Sequence, residues 1–156
     1  QIIFNMFRQR PAELFFEHAK KRKVGILARL PLASGMLTGK LKPGNAFPPD
    51  DHRTFNRSGE AFDRGETFSG VDYETGLQAV EELSAICPAG MSMVQFALRW
   101  ILMYEAVTCA IPGAKSPAQA GENFTAADLA SLSEEDMAHV RFIYDCSIRD
   151  RVHQYW

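Results

Sequence analysis

The amino-acid sequence predicts an α/β fold built on a parallel sheet, and three observations carry the prediction. Short apolar runs alternate with stretches of helical period, in the order strand, helix, strand, long loop, two helices, strand, helix, helix. Strands that alternate with helices pair in parallel through right-handed crossovers. The longest irregular stretch, residues 31–72, follows the second apolar run at once, where α/β folds carry their functional loops. The composition is that of an ordinary globular chain, with 156 residues, 46% hydrophobic and 23% charged, and a formal net charge of −2.

Each element has a local reason. Gln1 to Phe7 is apolar and short, as a strand buried on both faces would be. Pro11 suits the first turn of a helix, where a missing N–H costs nothing, and Leu14, Phe15 and Ala19 give that helix its apolar stripe. Lys20-Lys21-Arg22-Lys23 lies at its end, where cations meet the negative pole of the dipole; this reads as a solvated cap rather than a nucleic-acid patch. Val24 to Leu30 is a second strand. The 31–72 stretch contains Phe47, Phe55, Phe62 and Phe68, too many aromatic rings for a disordered segment, so it is expected to pack. Leu77, Val80 and Leu83 mark a helix over Tyr73 to Ile86, ended by Pro88-Ala89-Gly90. Ser92-x-x-Gln95 is a capping box before the stripe Val94, Ala97, Leu98, Ile101 and Leu102. Ala106 to Ile111 is the third strand. Ser116-Pro117-Ala118-Gln119 opens the next helix with the same box, and Ser133 with three following acids opens the last, whose stripe is Met137, Val140 and Tyr144.

The composition excludes several functions. No apolar run reaches the roughly 18 to 20 residues of a membrane span, and no clustered basic excess marks a nucleic-acid binder. Cys87, Cys109 and Cys146 are far apart, with no CxxC spacing, which fits buried thiols in a reducing, cytoplasmic setting and no metal site. The first residues carry neither a secretion signal nor an initiator methionine, and an apolar run starts immediately; the chain is expected to be cut from something longer. Three parallel strands with a functional loop at a strand's end fit a section of a (β/α)8 barrel. A doubly wound sheet is the runner-up, but no GxGxxG follows any strand. Three strands cannot close a barrel, so the first and third are expected to present open apolar edges, to be covered by a missing N-terminal barrel half or a second copy of the chain.

The sharpest candidate site is Ile111-Pro-Gly-Ala-Lys-Ser-Pro117, running from a strand end into a helix N-terminus. Free N–H groups and the positive end of the dipole make such a point an anion site; Lys115 adds a mobile charge, Ser116 a hydroxyl, and Gly113 permits close approach. On physical grounds alone the alternative, a plain N-cap beside a surface lysine, stands equally.

Residues 111–123, IPGAKSPAQAGEN, resemble the adenosine-phosphate segment of the aldo/keto reductases, and residues 28–40, ARLPLASGMLTGK, the turn after that family's seventh barrel strand. Asp51-His-Arg-Thr-Phe-Asn-Arg57 and Gly65-Glu-Thr-Phe-Ser-Gly-Val71 are similar to one bacterial subgroup's long loop. The resemblance implies about the last three βα units of a (β/α)8 barrel plus its C-terminal helices, residues 1–156 forming the carboxy-terminal part of one domain. It implies an oxidoreductase that moves a hydride between NADP(H) and a small carbonyl substrate. Carried over by position, Gln1 would hold the nicotinamide carboxamide. Leu32, Ser34, Leu37, Thr38, Gly39 and Lys40 would border the pyrophosphate through backbone amides. Lys115 and Ser116 would meet the 2′-phosphate, and Gln119, Glu122 and Asn123 the adenosine. Arg29 stands where many members place an aromatic ring on the nicotinamide; it can stack through its guanidinium or reach the phosphates.

The family's tetrad of aspartate, tyrosine, lysine and histidine belongs to earlier strands, so no residue of this chain is assigned as catalytic and the chain alone is expected to be inactive. His18 and His139 read as surface or packing residues; His52 lies in the long loop, where contact with cofactor or substrate is the minor reading beside a structural one. Tyr155 and Trp156 either close over the barrel mouth or lie on the surface. The rival from another class is a non-catalytic NADPH-binding or assembly module that completes its barrel with a partner chain.

Overall fold

Ile2–Ile3 (β1), Ile26–Arg29 (β2) and Val107–Ala110 (β3) form one parallel sheet in the order β1-β2-β3 in a computed structural model that describes residues 1–155. Ile2 stands opposite Ala28 and Ile3 opposite Arg29, while Ile26 faces Val107 and Ala28 faces Ala110, with a register shift between Ile26 and Leu27. At that irregularity the Thr108 hydroxyl accepts the Ile26 N–H at 3.0 Å. The outer strands are open at their far sides among the described residues, as expected.

Several expectations need correction. The second strand covers only Ile26–Arg29 of the expected Val24 to Leu30, with Val24 exposed. β1 is a two-residue strand, not seven, and is half-buried rather than covered on both faces. The cause is Asn5: its Oδ1 accepts the Phe7 N–H at 2.8 Å and its carbonyl accepts the Arg8 N–H at 2.9 Å, so the chain turns out of the ladder. The single first helix is two, Arg10–Leu14 (α1) and Phe16–Lys21 (α2), and the stripe is Pro11, Phe16 and Ala19, with Leu14 exposed. Lys20 and Lys21 lie in the last turn of α2, as the cap reading has them, and the Lys20 ammonium meets Glu105 at the surface, 2.7 Å away. The thiols expected to be buried are not: Cys87 and Cys109 are half-buried and Cys146 is exposed.

The remaining helices follow their caps. His52–Phe55 (α3) is a single turn within the long loop, which otherwise holds 3-10 turns at Ala33–Thr38, Arg64–Glu66 and Phe68–Gly70. Tyr73–Ala85 (α4) starts at the Asp72 cap. Met93–Leu102 (α5) opens on the reciprocal Ser92–Gln95 box and buries Val94, Ala97, Leu98 and Ile101. Pro117–Thr125 (α6) follows β3. Glu134–Ile143 (α7) is capped by a Ser133–Asp136 box, then passes through a π-helical turn at Tyr144–Ile148 into Arg149–Val152 (α8).

The core lies behind the sheet. Phe4 stacks on Trp100 with centroids 5.1 Å apart and meets Phe16 edge-on at 4.7 Å, pinning β1 between α2 and α5. The long loop packs onto the same core through Phe47 and Phe68, which group with Tyr73, whereas Phe55 and Phe62 pair with each other at the surface. No helix among the described residues is long and apolar enough to cross a membrane. Trp156 lies outside the described residues.

Candidate functional site

Two turns leave the C-terminal ends of neighbouring parallel strands, one at 30–39 after β2 and one at 111–116 after β3. The Ile111 N–H donates to the Ala28 carbonyl at 3.0 Å, and Leu32 and Ala110 both pack on Val94, Leu98 and Ala126. The sheet therefore brings the two segments singled out in the sequence to one end of the molecule.

The first turn is tightly wound. Leu30, Ala33 and Ser34 have φ of 51°, 47° and 56°, a left-handed backbone that side chains ordinarily avoid. The N–H groups of Gly35 and Leu37 both donate to the Leu32 carbonyl, at 2.9 and 3.2 Å. Thr38 Oγ1 donates to the Gly35 carbonyl at 2.7 Å and accepts the Lys40 N–H at 3.2 Å, and Gly39 (φ 70°) donates to Met36. The amides of Leu37, Gly39 and Lys40 are thus already donated within the turn. Leu37 is fully buried, Leu32 and Ser34 are half-buried, and the Lys40 side chain is exposed.

A segment of the long loop crosses this turn. Arg29 and Glu66 form a bidentate ion pair, Nη1 to Oε1 at 2.6 Å and Nη2 to Oε2 at 2.7 Å. Ser34 Oγ donates to the Glu66 carbonyl at 3.0 Å and accepts the Phe68 N–H at 3.2 Å. Asn5 Nδ2 donates to the Leu30 carbonyl and to Ser69 Oγ, both at 2.8 Å, and Arg8 Nε donates to the Ser69 carbonyl at 2.8 Å. Burial pulls the Arg8 guanidinium below its ordinary range, against the opposing pull of Asp63. Gln1 and Arg29 both line an open cavity of about 490 Å³, shared with Ile3, Arg8, Asp63 and Tyr155, so these two sequence-predicted residues do come together.

His52 reaches Ser34, Nε2 to Oγ at 3.3 Å, and its Nδ1 lies 3.5 Å from Asp51. The row is not a nucleophilic triad. The Ser34 proton is committed to the Glu66 carbonyl and is not offered to His52 for withdrawal. Asp51 is held by Arg53 at 2.9 and 2.6 Å, and that guanidinium keeps its carboxyl well below the usual carboxylate range.

The second turn is open. Ser116 Oγ accepts the Gln119 N–H at 3.3 Å, the expected N-cap, but the reciprocal half of the box is absent: Gln119 Oε1 accepts the Lys115 N–H at 2.6 Å instead. Asn123 Nδ2 donates to the Gly113 carbonyl at 3.3 Å, and Glu122 Oε1 accepts from the Ser92 hydroxyl at 2.7 Å. Nothing lies within 4 Å of where a Gly113 Cβ would sit. Lys115 is exposed and its ammonium enters no ion pair among the described residues, while α6 buries no side chain at all.

Tyr73, Tyr104 and Tyr144 are not primed as acids. Burial pushes Tyr104 up to about 12 and raises Tyr73 and Tyr144 as well. The Tyr73 hydroxyl donates to the Lys42 carbonyl and that of Tyr144 faces His153. His18 and His139 are exposed on α2 and α7. Among the described residues no group of three or more His, Cys, Asp or Glu is arranged to hold a metal ion. Sequence reasoning missed Asn5, Arg8, Glu66 and Ser69. Asn5 and Arg8 had a legible signal, polar side chains inside or bordering an apolar run; Glu66 and Ser69 lie in irregular chain without period.

Residues 1–145 match the model of the Aldo/keto reductase family. Among curated proteins the chain is 28% identical over 151 residues, 96% of its length, to "Aldo-keto reductase YhdN" of Bacillus subtilis, covering 43% of that protein. It is 36% identical over 120 residues, 75% of its length, to "L-glyceraldehyde 3-phosphate reductase" of Escherichia coli O157:H7, covering 32% of it. Among solved structures the glycerol dehydrogenase AKR11B4 from Gluconobacter oxydans superposes with a TM-score of 0.76 at 27% identity, over 93% of this chain and 41% of that one. The holo form of aldo-keto reductase AKR11C1 from Bacillus halodurans shares the fold, with a TM-score of 0.65 at 18% identity over 96% of this chain and 43% of that one. The chain thus spans about a third to two-fifths of the length of these relatives, and the three-stranded sheet with its helices is a section of an α/β barrel.

Proposed function

Because the chain belongs to the aldo/keto reductase family, we propose that it is the cofactor-binding section of an NADP(H)-dependent reductase of aldehydes or ketones. One observation carries the reading: two βα turns lie side by side at the C-terminal end of one sheet, and the outer one presents Lys115, exposed and without a counter-ion among the described residues, at a helix N-terminus. A free ammonium at the positive end of a helix dipole fits a dianionic phosphate. Lys115 and the opening of α6 would hold the 2′-phosphate, and Lys40 would face the pyrophosphate. Gln119, Glu122 and Asn123 are spent in part on the turn itself, so they would shape the adenosine pocket and present it only their remaining polar atoms. Gln1 would orient the carboxamide, at the cavity it shares with Arg29.

When bound, the nicotinamide supplies or accepts the hydride. The proton must come from a group of lowered pKa, whereas burial raises Tyr73, Tyr104 and Tyr144, and the hydroxyls of Tyr73 and Tyr144 face the Lys42 carbonyl and His153. We therefore assign the acid to barrel strands that these residues do not include, contributed by the rest of the barrel or by a partner chain, and expect these residues alone to be inactive. The three cysteines are free thiols, which suits a reducing, cytoplasmic setting.

The test is a paired titration with NADPH and NADH, in a chain of full family length that contains these residues. NADPH is expected to bind more tightly, and Lys115→Ala to weaken it about 10- to 100-fold while leaving NADH unchanged. Equal affinity for both coenzymes, unaltered by the substitution, would overturn the proposal.

A further inference from the structure

Glu66 to Ser69 is held across the end of β2 from three directions. Asn5 is fully buried and every polar atom of its side chain is spent: Nδ2 on the Leu30 carbonyl and Ser69 Oγ, Oδ1 on the Phe7 N–H. Ser34 is equally saturated, its one proton on the Glu66 carbonyl and its oxygen accepting from Phe68 and facing His52. The Arg29–Glu66 pair is planar and bidentate, with side chains 37% and 23% exposed. On each side of this junction the backbone is left-handed without glycine: Leu30, Ala33 and Ser34 in the turn, Phe68 and Ser69 in the segment above it. Such conformations persist only where surrounding contacts over-determine them. Asn5 and Ser34 supply such contacts, and they tie the two strained segments to each other in addition to the bonds each makes with its own surroundings.

We propose that Glu66 and Asn5 are positioning residues, which hold the left-handed 30–39 turn in one shape for the ligand it receives; this rests on the cofactor reading above. Neither needs to touch the ligand. Glu66 acts through Arg29 and, by its carbonyl, through Ser34; Asn5 acts through the Leu30 carbonyl and Ser69. A turn fixed beforehand loses less freedom on binding, so the ties contribute to affinity without a contact of their own.

Two variants test this, Glu66→Ala and Ser69→Ala, against Glu81→Ala on the exposed side of α4. Amide hydrogen exchange over residues 30–39 is read in the ligand-free chain, and NADPH affinity by fluorescence titration. Glu66→Ala and Ser69→Ala are both expected to speed exchange over 30–39 about tenfold, with the thermal midpoint nearly kept, and to raise the NADPH Kd about tenfold; Glu81→Ala should change neither. Unaltered exchange in either folded variant would overturn the inference, as would faster exchange with unaltered affinity. If Glu66→Ala does not fold, Ser69→Ala decides alone. Faster exchange in the variants, with no NADPH binding by the unsubstituted protein of full family length, would leave the turn's tethering standing and overturn the cofactor reading instead.

Discussion

The 30–39 turn and the 111–116 turn emerge from adjacent strands at the same end of the sheet, yet they are built on opposite plans. The first is wound through left-handed residues, backed by the buried Leu37 and clamped by Asn5, Arg29 and Ser34 to a loop segment more than thirty residues away in sequence. The second is exposed, tied by Gln119 and Asn123 to its own helix, with a free lysine at its tip. The difference separates two ways of meeting an anion. A rigid turn offers shape, since its donors are committed beforehand; an open one offers mobile charge, which gains most when the partner is itself highly charged.

The contrast breaks most sharply at Asn5. Asn5→Ala strands a carbonyl, a hydroxyl and an N–H inside the protein, and a loss of about 2–4 kcal/mol is expected from the shared hub. Urea denaturation checks this, and a loss below about 1 kcal/mol would mean the first turn is not held as described. Gly65→Ala comes next. An added Cβ would lie 2.2 Å from Arg8 Nη2 and 2.8 Å from Asp63 Oδ1, so a buried guanidinium must shift away from the Ser69 carbonyl. About 2 kcal/mol is expected to be lost, by the same measurement.

A third prediction turns on pH. The Asp51 pKa is lower in the folded chain than in the unfolded one, so the unfolded state binds more protons as acid is added. Its contribution is fully present above the unfolded pKa near about 4 and fades as pH falls through the lower folded value. With a side chain 19% exposed, Asp51→Asn should cost about 1 kcal/mol at pH 7, and the gap to the unsubstituted chain should narrow steadily below pH of about 4. A gap independent of pH would show that the Asp51–Arg53 pair does not anchor the loop beneath Ser34.

What the sequence made legible follows from how local each signal is. The Ser92 box, the helix starts at Pro11 and Ser133, the break at Pro88, and the buried Val80 and Leu83 of α4, Val94, Ala97, Leu98 and Ile101 of α5 and Val140 of α7 depend on residues within one or two turns, and were readable. The bond of Gln119 to Lys115 was not, because the Ser-x-x-Gln pattern is satisfied equally by either N–H until the backbone direction is known. Strand ends were misjudged where a side chain competes with the ladder, as Asn5 does. The Arg29–Glu66 pair spans thirty-seven positions with no period, so the sequence shows two charges and not their meeting.

The smallest effect expected is also the cleanest discriminator between the two turns. α6 buries no side chain, and Phe124 on it is 80% exposed. Few apolar contacts mean a low local opening energy, so α6 should exchange its amides faster than residues 30–39 and Phe124→Ser should change global stability by less than about 0.5 kcal/mol. If the open turn works by charge delivered on a loosely held helix, NADPH should slow exchange in α6 far more than in the 30–39 turn, which has little freedom left to lose. Equal protection of both segments by the ligand would mean that the second turn is as preorganised as the first, and that the absence of buried side chains in α6 says nothing about how it binds.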